Sequence, residues 1–155
     1  MPPEEIQWVR DTVMNSPYPC ILASHAPVEY VPNPNAGMKC KEEIAQIIRE
    51  SQGKPGQVIL CLNGHYHRSG MDVIDGVPRL EVNSATFNWI PKPHDLFPEK
   101  EWYHIYECLG NMIIFEKPVS AEIILDPETR TIEVIGTEGD FLHGISTEIS
   151  GNDSG

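Results

Sequence analysis

Two short apolar runs, on either side of a segment with helical periodicity, constrain the fold of this chain most. The runs are Cys20–Ser24 and Val58–Leu62, and between them Lys41–Ser51 carries three isoleucines at helical spacing. A strand buried on both faces reads as a continuous apolar run, and parallel neighbours need a helical crossover between them. The pattern therefore predicts a βαβ unit, preceded by an amphipathic helix over Glu4–Asn15 with Ile6, Val9 and Val13 on its apolar stripe.

Downstream of this unit the sequence carries signals of antiparallel pairing. Three pairs of strand-like segments flank turn residues: Met71–Ile74 and Val77–Val82 around Asp75-Gly76, Tyr103–Leu109 and Met112–Phe115 around Gly110-Asn111, and Ala121–Leu125 and Thr131–Ile135 around Asp126–Thr129. Each pair predicts a hairpin. We therefore expect an α/β chain with α+β character, in which one mixed sheet contains the βαβ unit followed by antiparallel hairpins.

Length and composition predict a single domain. The chain has 155 residues and 40% hydrophobic content, which suits one globular domain with its own core. We expect that domain to cover residues 1–146 and the Ser-, Gly- and Asn-rich residues 147–155 to form a disordered tail. The stretch Asn83–Trp102 contains three prolines and no clear period, so it is predicted to be a long loop, either a lid or a partner surface.

Charge and hydropathy exclude two classes of partner. The formal net charge is -12, whereas a protein that binds the nucleic-acid backbone needs a Lys/Arg footprint. No apolar run approaches the length of about 20 residues that crosses a membrane, and the start, Met1–Glu5, has no basic or apolar leader. The sequence therefore predicts a cytoplasmic chain without nucleic-acid or membrane partners; a secreted parent stays open if further sequence precedes it.

Histidines follow both strands of the predicted βαβ unit. His25 comes directly after the first run, and Asn63-Gly64-His65-Tyr66-His67 follows the second. The carboxyl ends of parallel strands meet at one edge of a sheet, where ligands usually bind, so we expect the three imidazoles to converge. Residues two apart in extended backbone point the same way, which would aim His65 and His67 together and Tyr66 away from them. Since neutral imidazole is a common ligand for transition metals, the spacing predicts a metal site.

These segments resemble the last two metal-binding blocks of the calcineurin-like metallophosphoesterases. The resemblance rests on the run from Glu4–Trp8 through Cys20–Pro27 and on Val58–His67, and extends more loosely to Gly76–Ser84, 125–127 and 134–136. It implies half of the αββα sandwich of that family and a two-metal centre, in which His25 and His65 would bind one ion and His67 the other. The family's ions would be manganese (Mn), iron (Fe) or zinc (Zn).

The resemblance covers the C-terminal half of such an enzyme only. The family's other ligands come from Asp-x-His, Gly-Asp and Gly-Asn-His blocks. Gly139-Asp140 leads into Phe141 and Gly110-Asn111 leads into Met112, so neither fits its block, and Asp-x-His is absent from these 155 residues. Three neutral imidazoles do not offset two divalent cations, so we expect weak binding of a single metal ion and no activity of the chain alone. No catalytic residue is assigned, and hydrolysis of phosphate mono- or diesters would require the complementary half.

Partners and substrate contacts follow from the same reasoning. The uncovered face of a sheet tends to associate, which predicts a homo-oligomer or a complex with the missing N-terminal half. Asn63, Tyr66, Arg68 and Asn83 lie near the predicted edge and offer donors to a phosphate, although each also suits an ordinary surface loop. Two other functions remain open: a non-enzymatic oligomerisation or binding module that retains the fold, and a structural histidine–metal site unrelated to phosphate.

Overall fold

The computed structural model describes residues 1–27, 41–67, 69–89, 105, 107–126, 128–129 and 131–137. The helices are α1 (Pro3–Asn15) and α2 (Lys41–Ser51), with a short 3₁₀ helix at Glu107–Asn111. The strands are β1 (Cys20–Ser24), β2 (Val58–Asn63), β3 (Gly70–Ile74), β4 (Val77–Glu81), β5 (Phe87–Trp89), β6 (Met112–Ile114), β7 (Ala121–Asp126) and β8 (Thr131–Gly136). Among the described helices, none is long and apolar enough to cross a membrane.

A four-stranded mixed sheet carries the predicted βαβ unit. Its strand order is β1-β2-β4-β3, with β1, β2 and β4 mutually parallel and β3 antiparallel to β4. Ser24 pairs with Asn63, and Asn63 pairs with Glu81 on the other side. The βαβ prediction is therefore confirmed, while the parallel pairing of β4 with β2 was not predicted: the strand over Val77–Val82 was expected only as the antiparallel partner of β3. The carboxyl ends of all three parallel strands lie at one edge of the sheet.

Both helices contribute to one apolar core with this sheet. The cluster of buried side chains comprises Val13 of α1, Ile44, Ile47 and Ile48 of α2, Val58 and Cys61 of β2, and Val77 of β4. Ile6 and Val9 of α1 pack against it, which confirms the predicted stripe. Burial of an isoleucine side chain contributes about 1.5–3 kcal/mol relative to exposure, so the three isoleucines of α2 fix the crossover helix on the sheet.

The link between α2 and β2 is held by a buried hydroxyl. Ser51 Oγ donates to the carbonyl of Ile48 at 2.7 Å and accepts from the backbone N–H of Val58 at 3.0 Å. Nearby, Gly56 approaches the end of α1 so closely that a Cβ there would clash with the carbonyl oxygen of Val13. These contacts set where β2 begins.

Two of the three predicted hairpins are confirmed. β3 and β4 pair across Asp75-Gly76, whose φ angles of 53° and 78° are the positive values that a two-residue hairpin turn requires. β7 and β8 form a two-stranded sheet. At the turn between them, Asp126 Oδ1 accepts the backbone N–H groups of Glu128 and Thr129 at 2.9 and 3.1 Å.

The middle hairpin prediction is wrong. Residues Glu107–Asn111 form a 3₁₀ helix instead of a strand and turn. β6 pairs antiparallel with β5, which lies inside the stretch predicted to be a loop, and Asn88 is in register with Ile113. The fully buried side chain of Ile113 gives β6 an apolar contact that a surface hairpin would not provide. The described strands therefore make one four-stranded sheet and two two-stranded sheets, rather than one sheet containing every hairpin.

The chain divides into two compact units. The first contains Met1–Val82 with Asp126–Thr131, and the second contains Asn83–Leu125 with Ile132–Gly155. The four-stranded sheet and both α-helices belong to the first unit, whereas β5 and β6 belong to the second. The predicted tail, residues 147–155, and most of the predicted loop, residues 90–102, lie outside the described residues.

Candidate functional site

The three candidate ligands lie in the first unit, at the carboxyl edge of its parallel strands. His25 is the first residue after β1, and His65 and His67 follow the end of β2. Two backbone hydrogen bonds continue the strand pairing beyond the strands themselves. The N–H of Gly64 donates to the carbonyl of His25 at 3.0 Å, and the N–H of Val82 donates to the carbonyl of Asn63 at 2.6 Å. The start of the segment 64–67, called the histidine loop below, is thus hydrogen-bonded to the strand ends on both sides.

His25 and His65 meet, as predicted. Nδ1 of His65 lies 3.2 Å from Nε2 of His25, and the ring centroids are 5.1 Å apart with an angle of 84° between the planes. One nitrogen donates a hydrogen bond to the other in the absence of metal. Two imidazole nitrogens bound to one ion at about 2.1 Å would stand about 3.0–3.4 Å apart, depending on the coordination angle. The observed separation fits a pair of ligands to one cation.

His67 is half-buried and is electrostatically coupled to the other two histidines. The pKa of His67 is lowered, chiefly by burial of its imidazole and further by positive charge on His25 and His65. Burial and like charge both disfavour the protonated ring. His67 is therefore kept neutral, which is the form that binds metals, over more of the pH range than an ordinary histidine.

The backbone of the histidine loop differs from the prediction. β2 ends at Asn63, and both His65 (φ 80°) and His67 (φ 53°) have left-handed backbone. The expectation that extended backbone aims these two side chains together is wrong, because the alternation of strand residues stops where the strand ends. Nor does Tyr66 turn away: its ring packs edge-on against His65, with centroids 5.3 Å apart and planes at 68°.

The pair His25–His65 does not by itself complete a metal site. Over the part of the chain that the structure describes, no group of three or more His, Cys, Asp or Glu side chains is arranged to hold an ion. His67 is close enough to feel the charges of the pair. A cation bound by His25 and His65 would therefore need further donors, and a charge-balanced site would need carboxylates.

The predicted substrate contacts have separate surroundings. Asn63 is the half-buried last residue of β2 and pairs with Ser24 and Glu81. Tyr66 packs on His65. Asn83 is the first residue of the second unit, and its side-chain oxygen is buried. Arg68 lies outside the described residues.

Glu81 reaches the same sheet edge and was not singled out from the sequence. It is the last residue of β4 and stands in register with Asn63. Its carboxylate lies over Gly70, where an added Cβ would be 3.7 Å from Oε2. The sequence signal was present in Val77–Glu81, but this run was interpreted only as the hairpin partner of β3. Its parallel pairing with β2 puts Glu81 at the edge that the histidines occupy.

Comparison with known proteins assigns no family. No protein-family model matches the chain, and no curated protein matches it. The functional interpretation therefore depends on the motif residues and on their geometry.

Proposed function

We propose that this chain supplies the histidine ligands of a hydrolytic metal centre of the calcineurin-like metallophosphoesterase type. In this proposal His25 and His65 share one divalent ion and His67 serves a second. The anionic ligands, and with them activity toward phosphate mono- or diesters, come from a complementary polypeptide segment that carries Asp-x-His, Gly-Asp and Gly-Asn-His blocks.

One observation carries the proposal: the 3.2 Å separation between His65 Nδ1 and His25 Nε2 at the shared edge of two parallel strands. The two residues are 40 positions apart in the chain and meet only because the crossover through α2 makes β1 and β2 neighbours. An unrelated pair of surface histidines would not be expected at this separation. The sequence Gly64-His65-Tyr66-His67 then places a third imidazole within electrostatic range.

The residues of the chain have distinct tasks in such a centre. The ring nitrogens of His25 and His65, now 3.2 Å apart, would both bind one ion, and the lowered pKa of His67 keeps a third nitrogen available as a neutral ligand. Two ions in sites of this kind polarise the phosphoryl oxygen and stabilise the charge that develops in the displacement. Neutral imidazoles leave that positive charge uncompensated, so hydrolysis needs carboxylates in addition.

Metal titration tests the ligand assignment. Calorimetry of the chelator-treated chain with Mn²⁺ and Zn²⁺ should show weak binding of one ion. His25→Ala and His65→Ala should each weaken binding by at least about tenfold, because each removes one of two direct ligands. His94→Ala, a histidine outside the motif, is the matched control and should bind like the wild type. Two tightly held ions per chain, or no binding at all, would contradict the proposal.

Hydrolysis tests whether the centre is incomplete. The chain alone, with added Mn²⁺, should not cleave p-nitrophenyl phosphate or bis-p-nitrophenyl phosphate. Cleavage that disappears in both His65→Ala and His67→Ala would make the chain a complete enzyme and would overturn the half-centre proposal. Tight Zn²⁺ binding that phosphate leaves unaffected would instead favour a structural metal site.

Exposed apolar side chains favour a second candidate function, an oligomerisation or binding module. Met71 and Val73 of β3 are 59% and 64% exposed and lie on one face of the sheet. On the edge strand β1, Ile21 is 42% exposed. Contiguous apolar surface is typical of contact sites, and the neighbouring side chains of Met71 and Val73 form such surface on β3. This function would survive His65→Ala, which separates it from the metal-dependent one.

A further inference from the structure

The imidazole of His65 lies at an exposed position that the protein core does not hold. His65 is solvent-exposed, and its left-handed backbone (φ 80°) follows the end of β2 rather than continuing it. An exposed histidine ordinarily samples several rotamers on a fast timescale. Here, however, Nδ1 of His65 is within 3.2 Å of His25. The hydrogen bond to His25 holds one nitrogen of the ring, and a second contact is needed to fix the orientation of the ring plane.

Tyr66 provides that contact. Its ring packs edge-on against the ring of His65, with centroids 5.3 Å apart and planes at 68°. Tyr66 is half-buried and its hydroxyl oxygen is buried, whereas His65 is exposed. The surrounding protein therefore restricts the tyrosine ring more than the imidazole. Edge-to-face ring pairs have a preferred geometry, and an anchored ring therefore restricts the orientation of a mobile one.

We propose that Tyr66 is a positioning residue, whose aromatic ring fixes the imidazole of His65 with Nδ1 facing His25. The functional part of this inference rests on the proposed metal centre, because it is as a ligand that His65 needs a fixed orientation. The sequence suggested that Tyr66 contacts the substrate; in this proposal its aromatic ring instead orients the metal ligand His65. Groups that orient metal-binding histidines affect metal affinity without touching the ion.

The ring order of His65 tests the positioning role without any metal. Relaxation of the ¹³C-labelled imidazole is measured in the chelator-treated wild type, Tyr66→Phe and Tyr66→Leu. The phenyl ring should preserve the order and the ring-current shift of His65, whereas leucine should reduce both. Tyr18→Leu is the matched control, since Tyr18 is an exposed tyrosine before the opposite end of β1 and should leave His65 unchanged. Equal order of His65 in wild type and Tyr66→Leu would overturn the proposal.

Metal affinity tests the functional part. Tyr66→Leu should weaken Mn²⁺ or Zn²⁺ binding about tenfold or more, the usual effect of losing an orienting contact, while Tyr66→Phe should stay within about twofold of wild type. A looser His65 ring with unchanged affinity would refute the link to metal binding. If the wild type binds neither ion, the proposed function fails while the relaxation result still decides the positioning role. Circular dichroism checks folding, and Tyr66→Met replaces the leucine variant if that one is unfolded.

Discussion

His65 and His67 have unfavourable backbone conformations at the candidate site. Both have positive φ angles, in a region where an L-residue with a side chain costs about 1–2 kcal/mol relative to right-handed backbone. Such conformations persist where surrounding contacts impose them, and they concentrate at functional sites. The hydrogen bond from Gly64 N–H to the carbonyl of His25 is one such contact. The chain therefore keeps imidazoles at positions where glycine would be favoured.

Glycine should be better tolerated than alanine at His65. His65→Gly and His65→Ala both remove the ring, but only glycine relieves the positive φ, so His65→Gly should be the more stable by about 1 kcal/mol. In a strand, alanine is the more stable of the two residues, so Ala23→Gly in β1 should lower the free energy of unfolding by about 0.5–1 kcal/mol. Urea unfolding at neutral pH measures all three. A glycine variant less stable than the alanine variant at position 65 would refute the strain argument.

The lowered pKa of His67 predicts a pH dependence of the metal-free protein. Burial, and then positive charge on His25 and His65, make the folded state bind this proton less readily than the unfolded state, which titrates near about 6.5. Above that pH, protonation of His67 does not affect the free energy of unfolding. Below it, the free energy of unfolding falls as the pH drops, because the unfolded state binds the proton more readily. His67→Asn, which also tolerates left-handed backbone, should flatten the dependence between about pH 7.5 and 5.

Nuclear magnetic resonance titration gives the direct measurement. In the presence of chelator, the imidazole protons of His67 should titrate with a midpoint below about 6.5. A midpoint at or above that value would show that neither burial nor the neighbouring charges act as described.

Sequence reasoning located the candidate ligands but not their conformations. The meeting of His25 and His65 was predictable, because each follows an apolar run and parallel strands end at a common edge. The left-handed backbone of His65 and His67 was not predicted: Asn63-Gly64 is a turn signal that marks the end of β2, but the residues after it were interpreted as extended. Glu81 was missed because its parallel partner β2 is not its neighbour in sequence.

At the scale of elements, Ser51 connects the crossover helix to the strand that leads to the histidine loop. Its side chain is fully buried, and its hydroxyl bonds the last turn of α2 on one side and the first residue of β2 on the other. The N–H of Val58 donates a hydrogen bond to this oxygen, and Val58 is itself buried. The hydroxyl therefore satisfies groups of both elements that are shielded from water.

Loss of this hydroxyl should be more costly than loss of an exposed equivalent. Ser51→Ala removes the acceptor of a buried N–H, which should lower the free energy of unfolding by about 1–3 kcal/mol. Ser16 is a matched control, because its hydroxyl also makes one donated and one accepted bond, to the backbone of Tyr18, but at an exposed site. Ser16→Ala should cost less than about 1 kcal/mol. Equal losses in denaturant unfolding would contradict the role assigned to Ser51.

Elements that carry their own signals were predictable, and those made by distant partners were not. The bounds of β1 and α2 match the prediction because an apolar run and an isoleucine stripe mark them directly. β5 and β6 are three residues each, and Phe87 pairs with Ile114 across an intervening stretch of chain. Strands that short carry too few alternating positions to be recognised, and Gly110-Asn111 suggested a local turn in their place.

At the scale of the whole molecule, exposed apolar side chains and a strongly acidic composition have opposite effects on self-association. A net charge of -12 opposes self-association, whereas Met71 and Val73 leave apolar surface on β3 uncovered. Leu80, in register with Met71, is only 8% exposed, so the uncovered apolar surface of this mixed α/β fold lies on the edge strand β3. A sheet with helices on one face has a second face to cover.

Self-association through β3 follows from this surface. Sedimentation at micromolar concentration and about 150 mM salt, where long-range repulsion is screened, should show a dimer or larger assembly. Val73→Lys should shift it toward monomer, because it places a charge in the contact. Ile135→Lys is the control, since Ile135 is an exposed apolar residue of the second unit, and it should leave the assembly unchanged. A wild-type monomer under these conditions would refute the prediction.

The main-chain bonds that join the ends of β1, β2 and β4 make loop length a stricter constraint than loop composition. Apart from His65, His67 and the ring of Tyr66, the side chains between Asn63 and Gly70 can vary while the N–H of Gly64 stays bonded to His25 and the N–H of Val82 stays bonded to Asn63. Deletion of one residue there would withdraw the following backbone by up to about 3.5 Å, roughly the whole distance that now separates the paired ring nitrogens. Evolutionary drift in this segment should therefore proceed by substitution and rarely by insertion or deletion.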